Sequence, residues 1–564
     1  MKDSRIRGAD IVIKALIAEN AKFIFGYPGG AIMPIYDALY DYEDQIQHIL
    51  TRHEQGAIHA AQGYARVSGK VGVCMATSGP GATNLITGIA DALIDSTPLV
   101  CITGQVPSYL LGTDAFQETD VVGISMPATK WNIQVHRVED IAPAIAKAFH
   151  IARSGRPGPV LIDITKDAQV ALGEFNYVPC LNIRSYKPYP KVSDKEIEDA
   201  AALINQAERP YLVYGQGVII GKAEKELEAF LNKTGIPAAC TLLGTGALSE
   251  EHPNYVGKLG MHGNYGPNLL TNKCDVLIAV GMRFDDRVTG DLTRYAKQAK
   301  VIHMELDYAE IDKNVKCTVP VLGDCKVTLA KLTEQVNSAK HDAWTAKFHE
   351  LEAEEKRVVV GNDLLPTKDG LTMGEVIRHI NEFKADDAIL VTDVGQHQMV
   401  AWRYFEYKTT RTQITSGGLG TMGFALPAAL GAQLHDFNRQ VICVVGDGGI
   451  QMTVQEFGTI MQTKAPVKVV LLNNNFLGMV RQWQQLFFDK RYSFTELENP
   501  DFQKIAEAYR FKVQKVDKRD DLREAVAEMF IHDGPYFLEV VVEKEDNVFP
   551  MIASGSSVEE VRLS

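Results

Sequence analysis

Two stretches near opposite ends of the chain repeat one pattern, in which a β-branched run leads into a glycine-rich turn, a helical stretch and a second such run. The runs are Val71–Thr77 and Pro98–Gly104 in the first stretch, and Val441–Val445 and Pro466–Leu472 in the last. In the last stretch, residues 451–462 are predicted to form the helix. This alternation is typical of parallel sheets in α/β domains. Because the turns fall at matching places, we predict two domains of one fold; the alternative is that any two strand–helix–strand units look this similar.

The chain is predicted to form three α/β domains with parallel sheets. We place their boundaries at 1–185, 190–340 and 370–564. The proline-rich linker Tyr186–Lys191 follows the first domain, and a charged, then turn-rich segment over residues 344–369 precedes the third. A length of 564 residues suits about three to four domains.

The composition argues against several classes of function. Apolar residues make up 46% of the chain and charged residues 23%, which is typical of a globular protein. The net charge is −13, so neither a nucleic-acid nor an anionic membrane surface is expected, because both need a basic footprint. The first apolar run, Ile11–Ala18, is interrupted by Lys14, and no run approaches the ~18–20 residues of a membrane span. We therefore expect a cytoplasmic protein.

Polar residues follow two neighbouring strand-like runs of the third domain. Asp447 stands in the turn after one run, and Asn474 ends the next, 27 residues further on. Because the carboxyl ends of adjacent parallel strands share one edge of a sheet, the two side chains are expected side by side. One carboxylate, one amide oxygen and phosphate oxygens suit Mg²⁺, and Gly446 and Gly448 let the backbone approach a diphosphate. We predict a metal–diphosphate site; the alternative is a turn aspartate beside a loop of asparagines.

The run Gly446-Asp447-Gly448, followed by the asparagines, resembles the signature of thiamine-diphosphate enzymes. In that family the diphosphate binds one domain and the aminopyrimidine binds a related domain of a neighbouring subunit. The family pattern also needs a glutamate early in the first domain, and Glu54 fills that place at the start of a predicted helix. A carboxyl group beside the pyrimidine nitrogen shuttles a proton as a general acid–base. Without Asp447, Glu54 would be better interpreted as a charge at a helix N-terminus.

Over nearly its whole length the sequence is similar to acetohydroxyacid synthases. The runs that carry this resemblance are Phe25–Ala31, Arg52–Gln55, Thr77–Asn84, Asp114–Glu118, Ser154–Pro159, Leu259–Gly263, Arg283–Arg287, Asp393–His397, Ser416–Phe424 and Gly478–Trp483. Several are shared with other thiamine enzymes, but Arg283–Arg287 is similar to the biosynthetic, flavin-containing synthases in particular. The resemblance implies decarboxylation of pyruvate and ligation to pyruvate or 2-ketobutyrate. The products would be 2-acetolactate or 2-aceto-2-hydroxybutyrate, precursors of valine, leucine and isoleucine.

The resemblance also assigns roles to single residues. The implied Mg²⁺ ligands are Asp447, Asn474 and the carbonyl of Phe476. The residues implied around thiamine diphosphate are Gly30, Gln396, His397, Met422, Gly446, Gly448 and Met452, with Met422 under the thiazolium ring. The implied catalytic residues are Glu54, Gln117 on the substrate side, Arg287 for a keto-acid carboxylate and Trp483 for the second keto acid; the alternative for Trp483 is a core position on a helix. Residues 475–477 are less polar than in many family members, which does not affect a role for the Phe476 backbone.

FAD is implied by the resemblance alone. The residues that would contact it are Arg156, His262, Arg283, Glu305 and Asp324. The glycine run Gly215–Gly221 departs from the dinucleotide-binding fingerprint and is a weak signal. Because the family performs no net redox chemistry, the flavin would have a structural role.

The family pattern further implies a homodimer or homotetramer, because each site needs two subunits, and a separate small regulatory subunit. Small 2-keto acids are the expected substrates. Two other functions stay open. A flavin-dependent pyruvate oxidase shares the fold and both cofactors. A non-catalytic relative would act as a binding partner, although the presence of Glu54, Asp447 and Asn474 together argues against it.

Overall fold

Three six-stranded parallel sheets follow one another along the chain in a computed structural model that describes residues 5–367 and 369–564. Two short antiparallel ribbons accompany them within these residues. The central strands are continuous apolar runs, because helices cover both faces of a parallel sheet. No helix among the described residues is both long and apolar enough to cross a membrane.

The first domain opens with a strand that pairs with its last strand. Its strands are β1 (Arg5–Arg7), β2 (Phe23–Gly26), β3 (Gln47–Leu50), β4 (Gly72–Ala76), β5 (Leu99–Gln105), β6 (Trp131–Val135), β7 (Pro159–Thr165) and β8 (Leu172–Glu174). Its helices are α1 (Gly8–Ala18), α2 (Met33–Leu39), α3 (Glu54–Ser68), α4 (Pro80–Asn84), α5 (Ile86–Ile94), α6 (Val121–Ser125), α7 (Ile141–Arg153) and α8 (Lys166–Val170). The main sheet has the order β3-β2-β4-β5-β7-β6.

The middle domain alternates strands and helices in the same way. Its strands are β9 (Pro210–Tyr214), β10 (Ala238–Cys240), β11 (Tyr255–Lys258), β12 (Val276–Val280), β13 (Lys300–Glu305) and β14 (Val319–Leu322). Its helices are α9 (Asp194–Gln206), α10 (Gln216–Ile220), α11 (Glu224–Thr234), α12 (Tyr265–Thr271), α13 (Asp286–Thr289) and α14 (Cys325–Gln335). Two further helices, α15 (Asp342–Glu355) and α16 (Gly361–Leu364), lead towards the third domain.

The third domain carries the remaining elements. Its strands are β15 (Ile389–Thr392), β16 (Gln413–Thr415), β17 (Val441–Gly446), β18 (Lys468–Asn473), β19 (Lys512–Val516), β20 (Tyr536–Val541), β21 (Met551–Ile552) and β22 (Val561–Arg562). Its helices are α17 (Met373–Phe383), α18 (Gln396–Tyr404), α19 (Ala425–His435), α20 (Asp447–Ile450), α21 (Phe457–Thr463), α22 (Gly478–Phe487), α23 (Phe502–Ala508) and α24 (Arg519–Ile531). The main sheet has the order β16-β15-β17-β18-β20-β19.

The strand orders confirm the predicted kinship of the outer domains. Numbered along the chain within each six-stranded sheet, the first and third domains both read 2-1-3-4-6-5, whereas the middle domain reads 3-2-1-4-5-6. The latter is the order of doubly wound dinucleotide-binding domains, in which the ligand crevice lies where the order reverses. The predicted architecture, two related domains flanking a different one, is therefore correct.

Helix α3 of the first domain packs directly on α19 of the third. A methyl group added at Gly63 would lie 2.0 Å from the carbonyl oxygen of Ala428, and one at Gly431 would lie 1.8 Å from that of Ala60. Such distances leave no room for a side chain, so the two helix backbones touch. This contact fixes the first domain against the third within one chain.

The predicted helix over residues 451–462 is wrong in its first half. Helix α21 begins at Phe457, and Val454–Glu456 forms a 3₁₀ turn before it. The Thr453 hydroxyl donates to the Gly423 carbonyl, and a Glu456 carboxylate oxygen accepts from the Arg52 amide of the first domain. These tertiary hydrogen bonds override the local helix propensity.

Candidate functional site

The three predicted metal ligands lie together at one edge of the third-domain sheet. Asp447 directly follows β17 and Asn474 directly follows β18, and these strands pair in parallel. Asp447 and Asn474 are 2% and 5% exposed. Both line, with Phe476, a cavity of about 60 Å³. Burial raises the pKa of Asp447 to about 6, so the ionised carboxylate would gain stability from a cation placed beside it.

Two polar atoms at the start of α18 have no hydrogen-bond partner among the described residues. They are Gln396 Oε1 and His397 Nε2, and both residues line the same cavity as Asp447 and Gly448. Burial lowers the pKa of His397 to about 4, so its ring is neutral near pH 7. Buried polar atoms without partners cost free energy that a ligand recovers. His397 Nε2 can donate to a diphosphate oxygen when it carries the ring proton, whereas Gln396 Oε1 can only accept and suits a cation. With the adjacent carboxylate, the set fits a diphosphate held through a divalent cation.

The first domain forms a different half-site at the corresponding edge of its sheet. Glu54 is the first residue of α3, as predicted, and is 9% exposed. Its Oε2 accepts a hydrogen bond of 3.0 Å from Asn84 Nδ2. A methyl group at Gly81 would lie 3.2 Å from Glu54 Oε1. The carboxyl group therefore lies against the turn that follows β4, with one oxygen held by an amide.

Gln117 and Gly30 lie near the same turn. Gln117 has a left-handed backbone with φ of 60°, and a methyl group at Gly79 would lie 2.9 Å from its carbonyl oxygen. Gly29 packs on the Thr77 side chain, and Gly30 beside it has open space where a side chain would be. Glu54, Gln117 and Gly30 do not line the 60 Å³ cavity, nor do they line the larger cavity described next. One chain thus presents two separate half-sites.

A second cavity, of about 800 Å³, opens beside the middle domain at the reversal of its strand order. Gly217 follows β9 and Gly281 follows β12, and a methyl group at Gly217 would lie 2.6 Å from the Gly281 Cα. Both glycines line the cavity. The volume and the location suit a dinucleotide. The glycine run after β9, interpreted from sequence as a weak signal, therefore lies at the ligand crevice.

All five residues predicted to contact a flavin line this large cavity, namely Arg156, His262, Arg283, Glu305 and Asp324. Burial lowers the pKa of His262 to about 4. Burial raises the pKa of Glu305, whose Oε1 accepts the amides of Leu306 and Asp307. Arg156 is partly engaged elsewhere, because it donates to Ser96, Asp307 and Glu310. The cavity is polar at several points, as a nucleotide requires.

Two of the three predicted substrate residues also contribute to the wall of the large cavity, whereas Gln117 does not. Arg287 and Trp483 line it, and Met422 lines both this cavity and the small one. The Arg287 side chain is 59% exposed, with Asp286 3.8 Å away, so its donors are accessible to a carboxylate. Trp483 lies on α22 and packs against Phe487, with ring centroids 4.9 Å apart. Met452 lines neither cavity but lies beside Gly423, the neighbour of Met422.

The sequence did not identify two residues that contribute hydrogen bonds to the third-domain site. Asp393 directly follows β15, and both its carboxylate oxygens lie 3.0 Å from the Gly423 amide that donates to them. Its position after a central strand matches that of Asp447, which is the signal that could have identified it. Gln482 is fully buried and joins Gln396 to the backbone of Val548. A single helical glutamine offers no comparable signal.

Three family models match the chain in succession. The thiamine pyrophosphate enzyme N-terminal TPP binding domain matches residues 6–124, the central domain matches 197–332, and the C-terminal TPP binding domain matches 393–540. Together with the two outer domains of one fold, these matches define the class: a thiamine pyrophosphate enzyme.

Curated relatives narrow the class. The acetolactate synthase isozyme 2 large subunit of Escherichia coli (strain K12) is 46% identical over 561 residues, covering 99% of each chain. The acetolactate synthase large subunit of Corynebacterium glutamicum is 45% identical, covering 99% of this chain and 90% of its own. A probable acetolactate synthase large subunit of Methanocaldococcus jannaschii is 43% identical, covering 99% and 95%. The chain belongs to the family of acetolactate synthase large subunits.

Proposed function

We propose that the protein is an acetohydroxyacid synthase, which decarboxylates pyruvate and joins the remaining two-carbon unit to pyruvate or 2-ketobutyrate. The products are 2-acetolactate and 2-aceto-2-hydroxybutyrate, which supply valine, leucine and isoleucine synthesis. The observation that carries this function is the 46% identity to an acetolactate synthase large subunit over 99% of both chains. The half-sites described above hold side chains whose chemistry suits it.

Thiamine diphosphate, Mg²⁺ and FAD are the proposed cofactors. Asp447, Asn474 and the Phe476 carbonyl would hold the metal, and Gln396, His397 and the backbone of Gly446 and Gly448 would hold the diphosphate. The support is the buried carboxylate beside two polar atoms that have no hydrogen-bond partner within residues 5–367 and 369–564. For FAD the support is the 800 Å³ cavity at the strand-order reversal. When bound, thiamine diphosphate supplies an electron sink for decarboxylation.

The chain's own residues would position the cofactor and the substrates and would transfer protons. Glu54, with one oxygen held by Asn84, would exchange a proton with the ring nitrogen of the pyrimidine through its other oxygen. Arg287 would hold a keto-acid carboxylate with the paired donors of its guanidinium. Trp483 would present a flat apolar wall to the second keto acid, and Met422 would support the cofactor from below.

A second copy of the chain is proposed to complete each site, giving at least a homodimer and, with further pairing, a homotetramer. The support is that Glu54 lines neither cavity of its own chain. Large apolar side chains of the first domain are also exposed, with Tyr109 at 77%, Phe116 at 88% and Met126 at 63%. Exposed apolar patches of this kind mark contact surfaces. The relatives are named large subunits, so a separate small subunit is proposed as regulatory partner, and the cytoplasm as the location.

The proposed domain boundaries are 1–185, 190–340 and 370–564. The support is that each range contains one complete six-stranded sheet. The linker helices α15 and α16 fall between the second and third ranges.

The experiment that tests the function is product analysis of the purified protein with its cofactors. Pyruvate alone is expected to give acetolactate and carbon dioxide, and added 2-ketobutyrate is expected to give aceto-hydroxybutyrate. Flavin absorbance is followed in the same reactions by stopped flow. Stoichiometric bleaching with acetate or acetyl phosphate as product would identify a pyruvate oxidase instead, and absence of decarboxylation would identify a non-catalytic relative.

A further inference from the structure

The loop over residues 416–422, here called the pocket loop, forms part of the wall of the large cavity. It leaves β16 and runs towards α19, and Ser416, Leu419 and Met422 line the cavity. Three of its seven residues are glycine, at 417, 418 and 420. Glycine leaves a backbone free to adopt many conformations. The position of Met422 therefore depends on whatever holds this loop.

A carboxylate of the first domain holds the start of the pocket loop. Asp95 lies just beyond α5, and its two oxygens accept the amides of Gly417 and Gly418 at 2.8 and 2.7 Å. Arg66, near the end of α3, donates to Asp95 at 2.9 Å and also to the carbonyl of Thr415. One ion pair thus fixes three consecutive peptide groups of another domain.

A second carboxylate closes the loop on itself. Asp91 Oδ1 accepts the hydroxyls of Ser416 and Thr421, the latter at 3.0 Å. The Thr421 amide donates to the Ser416 hydroxyl oxygen at 2.8 Å. The two ends of the glycine segment are therefore tied together through one buried oxygen.

These charges are removed from solvent. Asp91 and Asp95 are 0% and 1% exposed, and the Arg66 side chain is 7% exposed. Buried charges are tolerated when their partners stay in place, and loss of one partner is strongly unfavourable. Hydrogen bonds to a charged acceptor are also stronger than neutral ones. The arrangement therefore favours one conformation of the pocket loop.

We propose that Asp95, supported by Asp91 and Arg66, is a positioning residue that fixes the pocket loop and through it Met422. The loop in turn shapes the acceptor pocket, the part of the large cavity where the second keto acid, the acceptor, would bind. The part of this proposal that concerns substrate choice rests on the proposed function. Helix α3 then contributes at both ends: Glu54 at its start belongs to the first-domain half-site, and Arg66 near its end to the pocket loop of the same chain.

The test replaces Asp95 with asparagine in the full-length protein. The amide keeps the shape of the side chain but accepts only one of the two backbone donors. Hydrogen–deuterium exchange of residues 416–421, measured by mass spectrometry without added cofactor, is expected to accelerate roughly 10- to 100-fold. With cofactors, the ratio of the two acetohydroxyacids from mixed keto acids and the KM for the acceptor are expected to change.

Asp275→Asn is the matched control. The Asp275 carboxylate also accepts two consecutive amides, those of Glu208 and Arg209 at 2.7 and 3.0 Å, but in the middle domain. This variant is expected to keep the wild-type loop exchange and product ratio. A merely structural role of Asp95 would lower the folded fraction and hence kcat, without changing the product ratio.

Equal loop exchange and equal product ratio in Asp95→Asn and Asp275→Asn would overturn the proposal. If Asp95→Asn does not fold, Asp91→Asn is read by the same two measurements. If the wild type forms no acetohydroxyacid, the proposed function fails, but the exchange comparison needs no substrate and still decides whether Asp95 holds the loop.

Discussion

The first and third domains share one strand order and differ in the chemistry at the same edge of the sheet. The turn after β17 carries Asp447, next to polar atoms of Gln396 and His397 that find no hydrogen-bond partner in the described part of the chain. The equivalent turn after β4 is built of small residues and lies against Glu54. One copy of the fold presents the proposed ligands for a charged group, and the other presents Glu54, the proposed proton carrier.

This difference shows that the fold determines the location of a site, whereas the side chains determine its chemistry. The fold sets where a ligand can bind, because strand order fixes the crevice. The residues after each strand set what happens there. If this division holds, changes in the first domain should affect rate, and changes in the third should affect binding.

The largest effect is expected from the first domain. Glu54→Gln should slow proton–deuterium exchange at C2 of bound thiamine diphosphate by about 10²–10⁴-fold, the usual cost of losing one positioned proton carrier. Cofactor affinity should change far less, because the amide oxygen still accepts from Asn84. NMR after rapid quenching measures the exchange. Glu375 is a buried glutamate in the capping box of α17, and Glu375→Gln serves as control. An unchanged exchange rate in Glu54→Gln would show that Glu54 is only a charge at a helix N-terminus.

A different result is expected from the third domain. Asp447→Ala should abolish Mg²⁺-dependent binding of thiamine diphosphate, with an affinity loss of at least ~10²-fold. Even the mutation of a residue that only hydrogen-bonds to a metal ligand typically lowers metal affinity by about 10- to 100-fold. Titration followed by calorimetry measures it. Asp163→Ala is the matched control from the first domain, because burial raises the pKa of Asp163, like that of Asp447, to about 6. Wild-type affinity in a folded Asp447→Ala protein would contradict the metal assignment.

The smallest effect concerns selectivity rather than turnover. Trp483→Leu should shift the ratio of aceto-hydroxybutyrate to acetolactate towards parity by about 10- to 200-fold, because the two acceptors differ by one methylene in a shaped apolar pocket. Acetolactate formation from pyruvate alone should change much less. The measurement is the ratio of the two products from mixed substrates, with Trp131→Leu on β6 as control. An unchanged ratio in an active variant would return Trp483 to a packing role.

Much of this comparison was predictable from sequence because it depends on local patterns. β-branched runs and the glycine turns predicted the outer sheets, and Asp447 and Asn474 were expected side by side from their positions after adjacent strands. Glu54 was located by its place in a family pattern and by the helix that begins there. The strand and turn signals lie within about thirty residues of chain, whereas the assignment of Glu54 also depended on the presence of Asp447 in the third domain.

The remainder depends on contacts between distant segments. Asp95 meets Gly417 across more than three hundred residues, and no local pattern pairs them. The 3₁₀ turn before α21 exists because Glu456 accepts from Arg52, another distant partner. The order of the middle sheet was equally invisible, since strand pairing over such separations leaves no periodicity in the sequence. The 800 Å³ cavity at the reversal of that strand order was therefore apparent only from the fold.

The backbone contact between α3 and α19 has a consequence for synthesis. Gly63 and Ala428 are separated by some 360 residues, so a ribosome adding about 5–20 residues per second needs roughly 20–70 s to deliver the second helix after the first. Throughout that interval the alanine- and glycine-rich side of α3 has no partner helix. The nascent first domain must then be kept from pairing with other chains, and chaperone demand should peak before α19 is translated.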